Sequence, residues 1–234
     1  MVSAVIVAAG SGTRMNNSVR KQYLILAGRP VLSHTLLIFD SCHFIDKIFL
    51  VVPEKDFNFC CKNIILPLKL HKKIDLVSGG KRRQDSVYNG LVAADNADNK
   101  KEGIVAIHDG VRPFIRPCQL ETCIDGAKKF GACILGIPAF ETLKQTDNAC
   151  FTAKTINRDD VWLAQTPQAF KCSIIIKAHE NARRDGYTGT DDAQLVERLG
   201  KKVKVTKGSR FNIKITTEED LLLADLIINS FKRI

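Results

Sequence analysis

The chain has 234 residues, 45% of them hydrophobic and 26% charged, which is ordinary globular usage and excludes a disordered, collagen-like or linker-like chain. Its 35 Lys and Arg against 25 Asp and Glu give a formal net charge of +10, so the expected partners are anions: phosphorylated metabolites, nucleotides, nucleic acid or acidic membranes. No apolar run approaches the ~18 residues of a membrane span, no secretory leader is read at the start, and the eight cysteines lack a C-x-x-C pair, so reduced, buried thiols in the cytoplasm are expected.

Residues 4–9 form a β-branched apolar run that reads as a buried strand. It ends in Gly10-Ser11-Gly12-Thr13-Arg14. A helix is predicted over 31–40, a strand over 47–53 stopped by Pro53, and a helical stretch over 54–66. A strand over 74–77 runs into Gly79-Gly80. A helix over 85–94 and a strand over 103–108 follow, the strand ending at Asp109. Pro117 suits the first turn of a helix that ends near Phe130, and 132–138 reads as a strand. Residues 139–165 are polar and break the rhythm, which predicts a protruding β-arm or hairpin. Trp162 and Phe170 read as packing residues around a loop at Gln165-Thr166-Pro167. Helices are predicted over 173–184 and 191–199, and strands over 203–206 and, short, over 212–215. Thr216-Thr217-Glu218-Glu219 reads as a capping box that opens a last helix.

This alternation predicts a single α/β domain over 1–234, a mainly parallel sheet with helices on both faces. Ligands of such sheets bind beyond the carboxyl ends of the strands. The loops at 10–21, 79–86, 108–114, 138–145 and 207–214 are therefore the candidate site.

In Ala8-Ala9-Gly10-Ser11-Gly12-Thr13-Arg14 the glycines let backbone N–H groups approach phosphate oxygens. The loop is no Walker loop, because Gly-Lys-Ser/Thr is missing. Nor is it a full dinucleotide fingerprint, because Met15 stands where a third small residue belongs. Gly-x-Gly alone also serves as a tight turn. Arg14 and Lys21 add two cations that suit a triphosphate whose charge moves during reaction. Asp109 at a strand end can hold ribose or metal, and Arg112 can pair with a phosphate. Ser86 can cap the next helix or touch a ligand. His108 reads as a core histidine, and the five His and eight Cys show no zinc spacing.

Gly-x-Gly-Thr-Arg-Met followed by Lys21-Gln22-Tyr23 resembles the opening of the nucleotidyltransferases that join a sugar or polyol phosphate to a nucleotide. Glu141-Thr142-Leu143-Lys144, Asn157-Arg158-Asp159-Asp160-Val161-Trp162, Gln165-Thr166-Pro167-Gln168, Thr190-Asp191 and Asn212-Ile213-Lys214-Ile215-Thr216 extend the match over nearly the whole chain. In that order and spacing they resemble the 2-C-methyl-D-erythritol 4-phosphate cytidylyltransferase family. The resemblance implies a Rossmann-like nucleotidyltransferase fold, CTP and methylerythritol phosphate as substrates, Mg²⁺ bound mainly through the CTP phosphates, and a homodimer joined by the arm.

Position by position, the resemblance gives Arg14 and Lys21 to the triphosphate and its transition state. It gives Arg158 and Lys214 to the acceptor phosphate. Arg112, Thr142, Thr166 and Thr190 match further substrate contacts. Ala8, Ala9, Gly10, Ser11, Gly12, Thr13, Gly79, Gly80, Ser86 and Asp109 match nucleotide contacts, with Gly79 and Gly80 facing a pyrimidine edge. Two positions depart from the family pattern: Arg20 stands where Pro is usual, and Lys81 where an acid is common. Ribitol 5-phosphate cytidylyltransferase is the alternative within the superfamily, and segments 141–144 and 157–162 favour methylerythritol. The more distant alternative is a nucleic-acid binder, suggested by seven Lys and Arg within 198–214. Only Phe211 interleaves an aromatic there.

Overall fold

The apolar runs become strands covered on both sides. A computed structural model describes residues 1–10, 19–97 and 103–231. In chain order the strands and helices are β1 (Val2–Val7), β2 (Ile25–Leu26), β3 (Arg29–Pro30), α1 (Val31–Ser41), β4 (Lys47–Val52), α2 (Phe57–Cys60), α3 (Leu66–Leu68), β5 (Ile74–Ser78), α4 (Arg83–Ala97) and β6 (Ile104–Asp109). They continue with α5 (Pro117–Phe130), β7 (Ala132–Pro138), β8 (Leu143–Thr146), β9 (Thr152–Ile156), β10 (Trp162–Lys171), α6 (Cys172–Arg184), α7 (Asp192–Arg198), β11 (Lys204–Lys207) and α8 (Glu218–Phe231). Seven strands form one sheet in the order β11-β7-β10-β6-β1-β4-β5. All neighbours are parallel except β10, which runs antiparallel to β6 and β7.

Side chains alternate across this sheet, as the pleat requires. Ala4, Ile6, Ile48, Leu50 and Val52 enter one core, which α1 and α5 cover. Val5, Phe49 and Val51 enter the other, which α4, α6 and α7 cover. Both sides of each central strand are thus apolar, which is why the sequence reads as continuous runs. The helix ends are marked locally. Pro117 stands in the first turn of α5, and Gly131 closes it at φ +88°, a conformation that suits glycine.

Several expectations need correcting. Residues 162–171 form a strand in the middle of the sheet rather than a loop. Its polar Gln165-Thr166-Pro167-Gln168 segment coincides with a register shift, where proline is tolerated because no ladder donor is needed. Phe170 is fully buried there, while Trp162 is 41% exposed. The arm is the β8–β9 hairpin, and 162–165 belong to the sheet instead. Residues 212–215 form no strand. They cross the loop after β6, tied by Ile215 N–H to the Val111 carbonyl. The cap of α8 lies one residue later than predicted: Thr217 Oγ1 accepts from Asp220 N–H, and Asp220 Oδ2 accepts from Thr217 N–H. Three of the eight thiols, Cys61, Cys118 and Cys150, are exposed.

Because Phe170 fills the core between β10 and α6, Phe170→Ala should lower the unfolding free energy by about 3–5 kcal/mol. Urea titration measures this as a shifted midpoint with an unchanged slope. A loss below about 1 kcal/mol would contradict a buried β10.

Candidate active site

From β1 the chain passes to β4 and β5 on one side and then returns to β6 on the other. The carboxyl ends of β1 and β6 therefore border the crevice where such sheets bind ligands. Gly110 N–H donates to the Val7 carbonyl at 2.9 Å, which sets the loop after β6 against the loop after β1.

Asp109, at the end of β6, is the centre of the crevice. Arg83 Nε lies 3.0 Å from its Oδ1 and Lys214 Nζ 2.7 Å from its Oδ2. Arg112 Nε stands 3.8 Å from Oδ2. Asp109 is buried, which alone would favour the neutral acid. The charges of Arg83, Lys214 and Arg112 outweigh burial and hold the carboxyl well below the usual range. Arg112 itself is lowered by its burial, against the pull of Asp109. Its Nη1 donates to the Asn212 carbonyl at 2.7 Å. Its buried Nε has no hydrogen-bond partner among the described residues, and neither has Asn212 Oδ1. Asn212 Nδ2 donates to the Thr166 carbonyl at 2.8 Å, so the segment that carries Lys214 is pinned to β10.

This cluster separates two cavities. One, of about 350 Å³, is lined by Ala8, Ala9, Gly10, Lys21, Gly80 and Ser86. The other, of about 250 Å³, is lined by Arg112, Thr166, Thr190 and Asp191. Asp109, Arg83 and Lys214 line both. Thr166 Oγ1 accepts from Asp109 N–H and lies 3.1 Å from His108 Nδ1. The hydroxyl proton therefore goes to Nδ1, which leaves Nε2–H to donate to the Arg112 carbonyl. His108 is a fully buried neutral imidazole, and burial pushes its pKa down to about 4.

The glycine pair is a steric requirement. A Cβ on Gly79 would stand 2.3 Å from Ala9 Cβ, and one on Gly80 2.4 Å from Asp85 Cβ. Ser86 lies inside the first turn of α4 rather than at its cap. Its Oγ accepts from Gly80 N–H at 3.0 Å and donates to the Arg82 carbonyl, and it lines the larger cavity.

Ser11, Gly12, Thr13 and Arg14 lie outside the described residues. Thr142 and Arg158 sit exposed at the base of the hairpin, where Arg158 Nη1 donates to the Phe140 carbonyl. Neither lines the two cavities, so one chain alone does not bring Arg158 to Lys214.

Sequence reasoning missed three residues whose contacts tie these loops together. Arg83 joins Asp109 to Asp192, with Nη1 2.9 Å from Asp192 Oδ2. Gln22 Nε2 donates to the carbonyls of Ala8 and Gly10. Arg20 reaches the Gly10 carbonyl and pairs with Asp56 at 3.3 Å, an anchor where proline was expected. Each stands beside a motif residue, but its partner is distant in sequence.

Among the described residues no group of three or more His, Cys, Asp or Glu side chains could hold a metal ion. Among the described residues Asp109 is the one carboxylate lining the larger cavity, and it is already paired with cations. The described side chains therefore do not form a metal site by themselves. No described helix is long and apolar enough to cross a membrane.

The family model described as 2-C-methyl-D-erythritol 4-phosphate cytidylyltransferase matches residues 2–230. Enzymes of that name from Geotalea uraniireducens and Syntrophus aciditrophicus are 44% and 48% identical over 98% and 97% of this chain, and over 97% and 95% of their own lengths. A crystal structure of 4-diphosphocytidyl-2C-methyl-D-erythritol synthase from Anaerococcus prevotii superimposes with a TM-score of 0.85. It is 36% identical and covers 97% of this chain and 96% of its own.

His108 resists protonation only while folded, so the unfolded chain binds the extra proton first. Its contribution to stability is complete above about pH 6.5 and falls as pH drops towards 4. Urea titrations at several pH values should show a loss on the order of 3 kcal/mol across that window. The loss should be much smaller in His108→Gln. Equal losses in both proteins would contradict a buried neutral His108.

Proposed function

The chain belongs to the 2-C-methyl-D-erythritol 4-phosphate cytidylyltransferase family, and we propose that the two cavities flanking Asp109 are its two substrate sites. It transfers the cytidylyl group of CTP to 2-C-methyl-D-erythritol 4-phosphate, giving CDP-methylerythritol and pyrophosphate in the non-mevalonate isoprenoid pathway. The observation that carries the site reading is the shared wall of Asp109, Arg83 and Lys214 between two cavities.

In this reading CTP occupies the larger cavity. Its base lies on Gly79 and Gly80, its ribose near Asp109, and its triphosphate along Ala8, Ala9 and Gly10. Arg14 and Lys21 bind the triphosphate. Ser11, Gly12 and Thr13 add nucleotide contacts in this reading. The acceptor phosphate occupies the smaller cavity among Lys214, Arg112, Thr166 and Thr190. Two protein molecules form a homodimer in which the hairpin brings Thr142 and Arg158 to the other molecule's acceptor. The reducing cytoplasm is the proposed location, where thiols persist.

An acceptor phosphate oxygen attacks the α-phosphorus of CTP in line with the bond to the bridging oxygen. That bond breaks, and pyrophosphate leaves with its electron pair. A phosphate monoester is largely a dianion at neutral pH, so no general base is required. Catalysis is then the alignment of two polyanions and the neutralisation of charge that develops between them. Mg²⁺ bound mainly through the CTP phosphates would supply further charge neutralisation beside Arg14 and Lys21.

Purified protein should release pyrophosphate from CTP with methylerythritol 4-phosphate and not with ribitol 5-phosphate. Lys214→Met, which keeps the aliphatic stem, should retain CTP binding and lower kcat/KM for the acceptor about a hundredfold. Faster turnover with ribitol 5-phosphate would overturn the acceptor assignment. Superimposable acceptor saturation curves would remove Lys214 from the site.

The shared site makes a separate prediction. Arg14→Ala and Arg158→Ala should each be nearly inactive, and mixing them under subunit exchange should restore part of the activity. Heterodimers that stay inactive would contradict the shared site.

A further inference from the structure

Arg83 is half-buried in the wall between the two cavities. Burial works against its charge, yet Asp192 and Asp109 outweigh burial and keep it a cation. Its Nε donates to Asp109 Oδ1 at 3.0 Å, and its Nη1 stands 2.9 Å from Asp192 Oδ2 as an ion pair without hydrogen-bond geometry. Asp192 begins α7, is 1% exposed, and has His179 Nε2 at 3.3 Å from its other oxygen. His179 is fully buried against the ring of Tyr88. The planar guanidinium thus ties the strand-end carboxylate to a rigid point between α4, α6 and α7. Lys214 approaches Asp109 from the other side, on a segment that belongs to no strand.

We propose that Arg83 is a positioning residue for cytidylyl transfer. Anchored by Asp192, it fixes the Asp109 carboxylate, and Asp109 in turn aims Lys214 and Arg112 at the acceptor phosphate. The proposal rests on the reading of the smaller cavity as the acceptor site. When an incoming phosphate draws Lys214 away, Asp109 keeps a cation partner and its place. Arg83 is suited to this because its planar guanidinium presents Nε and Nη1 to two carboxylates in fixed directions, whereas a lysine offers a single point charge.

The test separates aim from stability. Arg83→Met leaves Asp192 buried with only His179 beside it, so its Tm should fall. The double variant Arg83→Met, Asp192→Asn removes both charges and should recover most of the Tm. Its kcat/KM for the acceptor should nevertheless stay about ten- to a hundredfold below wild type, because Asp109 is still unanchored. Arg83→Lys should fold and recover only part of that loss. A double variant that regains wild-type acceptor kinetics together with its Tm would show a merely structural role and overturn the proposal. So would an Arg83→Met protein with wild-type acceptor kinetics. Impaired Arg83 variants beside a kinetically normal Lys214→Met would instead overturn the acceptor-site reading and the proposal with it.

Discussion

A buried carboxylate is unfavourable unless cations surround it, and Asp109 is surrounded by three. That condition organises the rest of the site. Arg83 comes from the first turn of α4, Arg112 from the loop after β6, and Lys214 from a segment that crosses that loop. Burial alone would push Asp109 towards the neutral acid, and these three cations hold it ionised. Sequence positions 83 to 214 are held together by this one mutual requirement.

The sheet topology makes the requirement possible. Reversal of direction at β1 and β6 leaves the end of β6 beside the glycine loop after β1. The loops then pack so tightly that Gly79 and Gly80 admit no Cβ against Ala9 and Asp85. The backbone at the larger cavity is therefore fixed by steric contact and by Ser86. The charged wall is fixed by ion pairs. In the proposed reading a nucleotide and a phosphorylated acceptor meet across that wall, where preorganised charge gains most.

Much of this was legible in the sequence because the signals were local. Apolar runs gave β1, β4, β6 and β7, and Pro117 and Phe130 gave the limits of α5. Gly10, Gly79, Gly80, Asp109 and Lys214 stand where strand-end loops were expected. β10 was not legible, because a polar Gln-Thr-Pro-Gln segment carries no strand pattern when a register shift interrupts it. Residues 212–215 imitate a strand by alternating apolar positions. Ile213 and Ile215 do join one apolar cluster, but the segment meets no strand edge. Arg83 and Gln22 went unassigned because their partners, Asp192 and the carbonyls of Ala8 and Gly10, are set by tertiary contact. The cap of α8 was displaced by one residue because Asp220 can answer Thr217 as Glu219 could answer Thr216.

Asp109→Asn tests the central claim most directly, because it removes the charge and keeps the shape. Steady-state kinetics with both substrates varied, alongside a thermal melt, is the measurement. Three cations would then face one another without a counter-charge. The account predicts a lower Tm and a fall of about a hundredfold or more in kcat/KM for CTP and for the acceptor together. Wild-type kinetics for both substrates at an unchanged Tm would contradict it.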